Sequence, residues 1–165
     1  MPEIVVIAHN IRSSHNIGAI FRTCEGLGVE KLILSGYSPY PGKPNDKRLP
    51  HLVERANRGI NKTALGAQNY LKWERPGNVL SAITKLKIKG YTIAALEQSE
   101  KSIELSEYKP AGRIALILGN EIEGMDKEIL DISDIIIEIA MKGKKESFNV
   151  SIAAAMCLYK LTSIK

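Results

Sequence analysis

Cysteine and histidine are scarce in this chain and lie too far apart to form a familiar redox or metal site. The sequence has two cysteines, Cys24 and Cys157, each within an apolar helical pattern. No CxxC pair or cysteine zinc cluster is therefore available, and we expect both thiols to be buried and inert. The histidines, His9, His15 and His51, lack the close pairing with Cys, Asp or Glu that a metal site shows. We expect no metal cofactor.

Long apolar runs and an export signal are also missing. The longest apolar stretches, such as residues 114–118, have the length of a strand and not of a membrane-spanning helix. The chain starts with Met1, Pro2 and Glu3, without the basic start, apolar stretch and cleavage site of a secretory signal. These absences predict a cytoplasmic protein with no membrane partner.

The common nucleotide-binding fingerprints are absent as well. Gly26 and Gly28 are not followed by a third glycine at the spacing of a dinucleotide-binding turn. Residues 36–43 resemble a phosphate-binding loop, but they have one intervening residue too many, and Pro44 stands where a magnesium-binding Ser or Thr is required. The chain is therefore not a typical NAD-binding protein or ATPase.

Positive charge is the main compositional bias of the sequence. The formal net charge is +5, and basic residues gather in stretches that also contain Gly, Pro or Asn. Such stretches favour a polyanionic partner, because Lys and Arg release counterions when they bind phosphates. A solvated surface explains the charge equally well. The clustered basic residues are Lys43, Lys47, Arg48, Arg55, Arg58 and Lys62, followed by Lys142, Lys144 and Lys145.

Alternating strand and helix patterns predict an α/β fold. A helical stripe over residues 17–27, with Asn16 as its cap, separates the first two predicted strands, and further helices are predicted over 79–86 and after Asn149. This order predicts a parallel sheet covered by helices in a single domain over residues 1–165. Residues 36–58 are the exception, being too long for a simple connection and therefore either functional or mobile. The predicted strands are 4–8, 31–35, 91–96, 113–118 and 134–139.

Three polar segments lie where ligands bind to parallel sheets, beyond the carboxyl ends of the strands. They are residues 16–23, residues 117–125, and residues 139–141 followed by 146–153. In this order they resemble the three motifs of the TrmH-like branch of the SPOUT RNA methyltransferases. Residues 62–67 also resemble a short stretch of that family, so the similarity extends over essentially the whole chain.

The resemblance implies a fold and an activity that periodicity alone does not reveal. Family members have a C-terminal trefoil knot, which is a rare exception to unknotted folding. They are homodimers that pair their first and last helices and complete the active site across the interface. The resemblance further implies transfer of a methyl group from S-adenosylmethionine to a ribose 2′-hydroxyl of tRNA or rRNA, without a metal and with no DNA partner. Among the RNAs, tRNA is preferred, and no separate RNA-binding extension is expected.

The residues that match cofactor-binding positions of the family are mostly apolar. Gly119 allows the backbone to approach a ligand closely, and apolar side chains can enclose an adenine ring. Leu96 and Ile139 could instead be core residues at the ends of strands. Ala140 and Phe148 depart from the frequent Pro and Leu of the family, which affects expected cofactor affinity more than reaction type. The matching positions are Leu96, Gly119, Ile139, Met141 and Phe148.

The residues that match catalytic positions are Asn16, Arg22, Glu121, Ser147 and Asn149. An arginine stays protonated in proteins, so we expect Arg22 to orient the RNA and stabilise charge instead of acting as a base. Asn16 and Asn149 could also be helix caps, which Ser147 could assist. A surface ion pair is one explanation of Glu121, but the motif context favours a role in orienting Asn16, Arg22 or the cofactor loop.

Two other functions stay open from the sequence. A non-catalytic RNA-binding or assembly factor could have the same fold, but retention of the five candidate catalytic residues argues against it. A Rossmann-like enzyme acting on a small molecule or nucleotide is supported by the alternating pattern alone and opposed by the missing fingerprints.

Overall fold

A parallel β-sheet forms the centre of the computed structural model, which describes residues 2–110 and 112–163. Its strands are β1 (Glu3–His9), β2 (Lys31–Ser35), β3 (Trp73–Glu74), β4 (Tyr91–Leu96), β5 (Ile103–Glu104), β6 (Arg113–Leu118) and β7 (Ile135–Glu138). They pair in the order β3-β2-β1-β6-β4-β7-β5, and every pairing is parallel. All carboxyl ends of the strands therefore point to one edge of the sheet.

Helices cover both faces of this sheet. They are α1 (Ser14–Gly26), α2 (Pro50–Ala64), α3 (Val79–Ile88), α4 (Lys127–Ile132) and α5 (Val150–Thr162), with a short 3₁₀ helix at Ala67–Asn69. Within β1, Val6 joins the buried cluster of α1, α2 and α5, whereas the adjacent Ile7 joins that of α3 and α4. Successive side chains of a strand therefore point into two different hydrophobic cores, one on each face of the sheet. The predicted parallel sheet with helices on both faces is confirmed. None of the helices in the described part of the chain is long and apolar enough to cross a membrane.

The five predicted strands are present, and the prediction failed at the shortest and least apolar elements. Strands β3 and β5 have two residues each, which is too short for an alternating pattern. No helix was predicted within residues 36–58, which were expected to be functional or mobile, but the chain is helical from Pro50 onward. Only the last turns of α2 are buried, at Gly59, Ile60 and Ala64, so no long apolar stripe marks this helix. The trefoil knot stays a prediction, since strand order does not describe how segments thread.

The start of α1 also differs from the prediction. Ser13 and not Asn16 is the N-cap, and its hydroxyl accepts a hydrogen bond from the backbone N–H of Asn16 at 3.3 Å. The cap lies three residues earlier than expected because the first turn of α1 is polar and carries no apolar stripe. The side chain of Asn16 is therefore free of a capping role.

Helices α1 and α2 pack unusually closely through a glycine. A Cβ atom added to Gly18 would overlap both the Thr63 hydroxyl and the backbone carbonyl oxygen of Ile60. The Thr63 hydroxyl also donates a hydrogen bond to the His15 carbonyl at 2.7 Å, which closes the contact between the helices. Thr63 belongs to the 62–67 stretch that resembles the family, so at least one residue of that stretch packs α2 against α1.

We expect Gly18→Ala to lower the free energy of unfolding by about 2 kcal/mol, because the Ile60 carbonyl is backbone and cannot move aside without shifting the helix. Gly26→Ala in the same helix is the matched control. A Cβ at Gly26 meets nothing within 4 Å, so this change should be neutral or stabilise by up to about 1 kcal/mol. Urea unfolding of both variants measures the difference, and equal effects would contradict the close-packing explanation.

Candidate active site

An open pocket lies at the carboxyl edge of the sheet, where the segments after β4, β6 and β7 come together. Leu96, Ile139 and Phe148 contribute apolar walls, while Glu97 and Glu121 contribute carboxylates. Of the positions matched to cofactor binding, Leu96, Gly119, Ile139 and Phe148 line this pocket, and Met141 does not. The pocket thus combines apolar and acidic surfaces from segments far apart in sequence.

The loop after β6 is shaped by the buried side chain of Asn120. This residue is 7% exposed, and its Oδ1 accepts hydrogen bonds from the backbone N–H groups of Ile122 and Glu123, both at 2.7 Å. Its Nδ2 donates to the Asn10 carbonyl at 3.1 Å and to the Tyr37 hydroxyl. Asn120 was not among the predicted site residues. An Asn two residues after the end of a buried strand and before a turn was the available signal.

Glu97 and Gln98 connect this loop to its neighbours. Glu97 Oε2 accepts a hydrogen bond from the Met125 N–H at 2.9 Å, and Gln98 Nε2 donates to the Glu146 carbonyl at 2.8 Å. A Cβ at Gly119 would lie 3.2 Å from the Met125 Cα, so the glycine allows close packing against Met125 in addition to any role near a ligand. The segments after β4, β6 and β7 therefore form one connected frame.

A chain of hydrogen bonds joins three of the predicted catalytic residues. Asn16 Nδ2 donates to Glu121 Oε1 at 2.7 Å, and Asn149 Nδ2 donates to Asn16 Oδ1 at 3.2 Å. Asn149 Oδ1 in turn accepts from the backbone N–H of Ser151 at 2.9 Å and so caps α5. Asn149 is thus both a helix cap and part of this side-chain chain. Because Asn16 has one partner on each side, the orientation of its amide is defined.

The remaining predicted catalytic residues lie apart from this chain. Ser147 is exposed and lines the pocket, and it does not cap α5. Arg22 is exposed on α1 and does not line the pocket of its own chain. Over residues 2–110 and 112–163, its guanidinium forms neither a hydrogen bond nor an ion pair with another side chain. A single chain therefore brings Asn16, Glu121, Ser147 and Asn149 to one place but leaves Arg22 outside it.

The isolated histidines and cysteines have structural surroundings. His9 is 8% exposed and contacts the Ser35 hydroxyl at 2.9 Å and the Asp126 carboxylate at 3.1 Å, which ties the end of the β6 loop to the sheet. Cys24 and Cys157 are buried as predicted, and burial raises the pKa of the Cys157 thiol to about 12. Among the residues described, no group of three or more His, Cys, Asp and Glu side chains could hold a metal ion.

The basic segment before α2 is held by stacked cations. The guanidinium carbons of Arg48 and Arg75 lie 3.5 Å and 4.3 Å from the centre of the Tyr40 ring. Asp46 pairs with Arg48 at 2.6 Å, and the hydrogen bond from Arg48 holds the pKa of that carboxyl well below its usual range. Burial lowers the pKa of the Arg75 guanidinium, which also donates to the Ser38 carbonyl at 3.1 Å. Part of the positive charge of this segment therefore serves its structure.

Comparison with known proteins identifies relatives over nearly the whole chain. The sequence profile described as the SpoU rRNA Methylase family matches residues 3–159. The tRNA (guanosine(18)-2′-O)-methyltransferase of Aquifex aeolicus is 31% identical over 158 residues, which are 96% of this chain and 68% of that protein. The 23S rRNA (guanosine-2′-O-)-methyltransferase of Ralstonia nicotianae is 26% identical, over 96% of this chain and 58% of that protein.

Solved structures agree with these sequence matches. The crystal structure of the Aquifex aeolicus TrmH/SpoU tRNA modifying enzyme superposes with a TM-score of 0.80 at 28% identity, over 98% of this chain and 75% of that one. An AdoMet-bound rRNA methyltransferase from Sinorhizobium meliloti shares the fold, with a TM-score of 0.78 at 21% identity over 96% of this chain and 55% of that one.

Proposed function

The chain belongs to the SpoU rRNA methylase family, and we propose that it transfers a methyl group from S-adenosylmethionine to a ribose 2′-hydroxyl of tRNA or rRNA. The observation that carries this proposal is the hydrogen-bonded chain of Asn149, Asn16 and Glu121 beside the pocket at the carboxyl edge of the sheet. Similarity to the Aquifex enzyme favours tRNA over rRNA as the substrate. We place the reaction in the cytoplasm.

The pocket fits a ligand with an apolar ring and positive charge. The walls of Leu96, Ile139 and Phe148 suit the adenine of S-adenosylmethionine, and the carboxylates of Glu97 and Glu121 suit its cationic groups. Phe148 is 39% exposed and lines the pocket, so it is available for contact with a ligand. When bound, this cofactor supplies a methyl group already activated on a positively charged sulfur, so the chemistry requires no metal.

Positioning of the hydroxyl is the task that we assign to Asn16. One N–H of its amide already donates to Glu121, and one lone pair of its amide oxygen already accepts from Asn149. The second N–H and the second lone pair are therefore left for the substrate. The two contacts prevent the amide from turning over, so donor and acceptor keep fixed places. Glu121 and Asn149 therefore act as positioning residues for Asn16, and Ser147 lies close enough to the pocket to contact the ligand.

Arg22 does not line the pocket of its own chain. We propose a homodimer through α1 and α5, in which Arg22 of the partner subunit completes each site and stabilises charge at the target phosphate. The surface of α5 supports this arrangement, because Ile152 and Tyr159 are 53% and 67% exposed and lie two turns apart on one side of the helix. Size-exclusion chromatography with light scattering is expected to give twice the mass of one chain.

The direct test incubates purified protein with radiolabelled S-adenosylmethionine and separate pools of unmodified tRNA and rRNA. We expect label on a ribose in one pool, with mass spectrometry identifying the modified nucleotide. Isothermal titration with S-adenosylmethionine alone provides an independent readout of the pocket. Failure to bind the cofactor would overturn the proposed function, whereas binding without label in either pool would overturn the assignment of tRNA or rRNA as substrate.

A further inference from the structure

Tyr37 presents an aromatic ring to solvent at the edge of the sheet that carries the active site. It lies two residues after the end of β2, and 51% of the residue is exposed. Its backbone N–H donates a hydrogen bond to Asn10 Oδ1 at 3.1 Å, and its hydroxyl accepts one from Asn120 Nδ2. The backbone and the hydroxyl of Tyr37 are therefore both anchored, while about half of the residue stays exposed.

The anchor of this ring is the same side chain that shapes the β6 loop. Asn120 Oδ1 holds the Ile122 N–H, and Glu121, between these two residues, contacts Asn16. Ile122 is itself 75% exposed. Two exposed apolar groups, from Tyr37 and Ile122, are thus connected through one buried amide to the loop that positions Asn16.

One guanidinium is held against the backbone next to Tyr37, and a second arginine follows β1. The Arg75 guanidinium donates to the carbonyls of Gly36 and Ser38, the two neighbours of Tyr37 in the chain. Arg12 is exposed, and its backbone N–H lies 3.5 Å from Glu121 Oε2. An anchored aromatic ring next to a guanidinium is a combination with which proteins bind unstacked bases and the phosphates next to them.

We propose that Tyr37 is a stacking platform for a nucleobase of the RNA substrate close to the methylated ribose. This inference rests on the proposed function and extends it by naming a residue that contacts the RNA. Asn120 holds the Tyr37 hydroxyl and so fixes the orientation of the ring, and every base has a face that can stack on such a ring. The platform therefore adds affinity for RNA without selecting one base over another.

Variants at Tyr37 separate the ring from the hydroxyl. We expect Tyr37→Leu to raise the KM for a pool of in vitro transcribed tRNA about tenfold, since loss of one base stack weakens RNA binding by that order. Tyr37→Phe keeps the ring and should stay within about threefold of the wild type. The Kd for S-adenosylmethionine should not change in either variant. Tyr70→Leu is the control, because Tyr70 is 80% exposed but precedes β3, at the opposite edge of the sheet.

Other outcomes would overturn the platform. If the wild type methylates RNA and Tyr37→Leu leaves the KM unchanged, Tyr37 does not contact RNA. If Tyr37→Phe and Tyr37→Leu are equally impaired and both bind S-adenosylmethionine more weakly, Tyr37 serves only to hold Asn120. If the wild type neither binds the cofactor nor methylates RNA, the proposed function fails and the platform fails with it. These three results are distinguishable in the same set of measurements.

Discussion

Replacement of Arg22 by alanine is expected to lower kcat for methyl transfer by about a hundredfold to a thousandfold, the usual effect of removing one group that stabilises charge in a transition state. The guanidinium is exposed and outside the pocket of its own chain, so the Kd for S-adenosylmethionine and the free energy of unfolding should stay unchanged. Steady-state kinetics with saturating RNA and isothermal titration with the cofactor measure these quantities.

Arg58→Ala is the matched control for Arg22. Arg58 is an exposed arginine on α2, and its ion pair with Glu54 is open to solvent, so its removal should cost little activity or stability. Equal losses in the two variants would indicate a general loss of positive surface charge instead of a specific role of Arg22.

Mixing of two inactive variants tests whether Arg22 acts across a dimer. One protomer carries Arg22→Ala with an intact pocket, and the other carries Glu121→Ala with an intact Arg22. If each site takes its arginine from the partner, half of the sites in mixed dimers are complete, and an equal mixture regains about a quarter of wild-type activity. No recovery after subunit exchange, with exchange itself verified, would place Arg22 in the site of its own chain or remove it from catalysis.

Asn16→Asp is expected to lower kcat by about a hundredfold with little change in size of the side chain. Asn16 Nδ2 donates to Glu121 Oε1 at 2.7 Å, and the substitution would place a carboxylate oxygen against another carboxylate at that distance. Like charges so close repel each other, and the side chain would turn away from the position that Asn149 and Glu121 define. Kinetics with saturating RNA and cofactor measure the loss.

The double variant Asn16→Asp with Glu121→Gln provides a test of this explanation. The exchange restores one donor and one acceptor across the contact, with the amide now on residue 121. We expect kcat of the double variant to be about tenfold higher than kcat of Asn16→Asp alone. Additive losses in a double-mutant cycle would show that the Asn16 to Glu121 hydrogen bond does not position the amide for catalysis.

Local pattern was sufficient for the regular parts of the fold. Strands β1, β2, β4, β6 and β7 follow from short apolar runs, because a strand buried on both faces must be apolar along its length. Helix α5 follows from its apolar stripe and from Asn149, which caps it. Helix α2 was missed because only its C-terminal turns are buried, so its sequence has no long apolar stripe.

Prediction of the site depended on motif resemblance, and the structure shows which parts of it meet. The Asn16 to Glu121 contact joins residues 105 positions apart, and the Asn149 to Asn16 contact joins residues 133 apart. Asn120 was missed because its importance lies in burial and in its partners Asn10 and Tyr37, which no local pattern reports. Met141 was predicted at the pocket, but its side chain does not line it in this chain.

The sequence by itself determined the five longer strands, the burial of Cys24 and Cys157, and the polar motifs that follow the strands. Only the tertiary structure decided that the segments after β4, β6 and β7 share one pocket and that Arg22 lies outside this pocket. It also decided that Asn16 lies between Glu121 and Asn149. The physical reason is the sequence separation over which each effect acts. Periodicity records how each segment buries its own side chains, whereas strand order determines which carboxyl ends become neighbours, and that order arises only when all strands pack together.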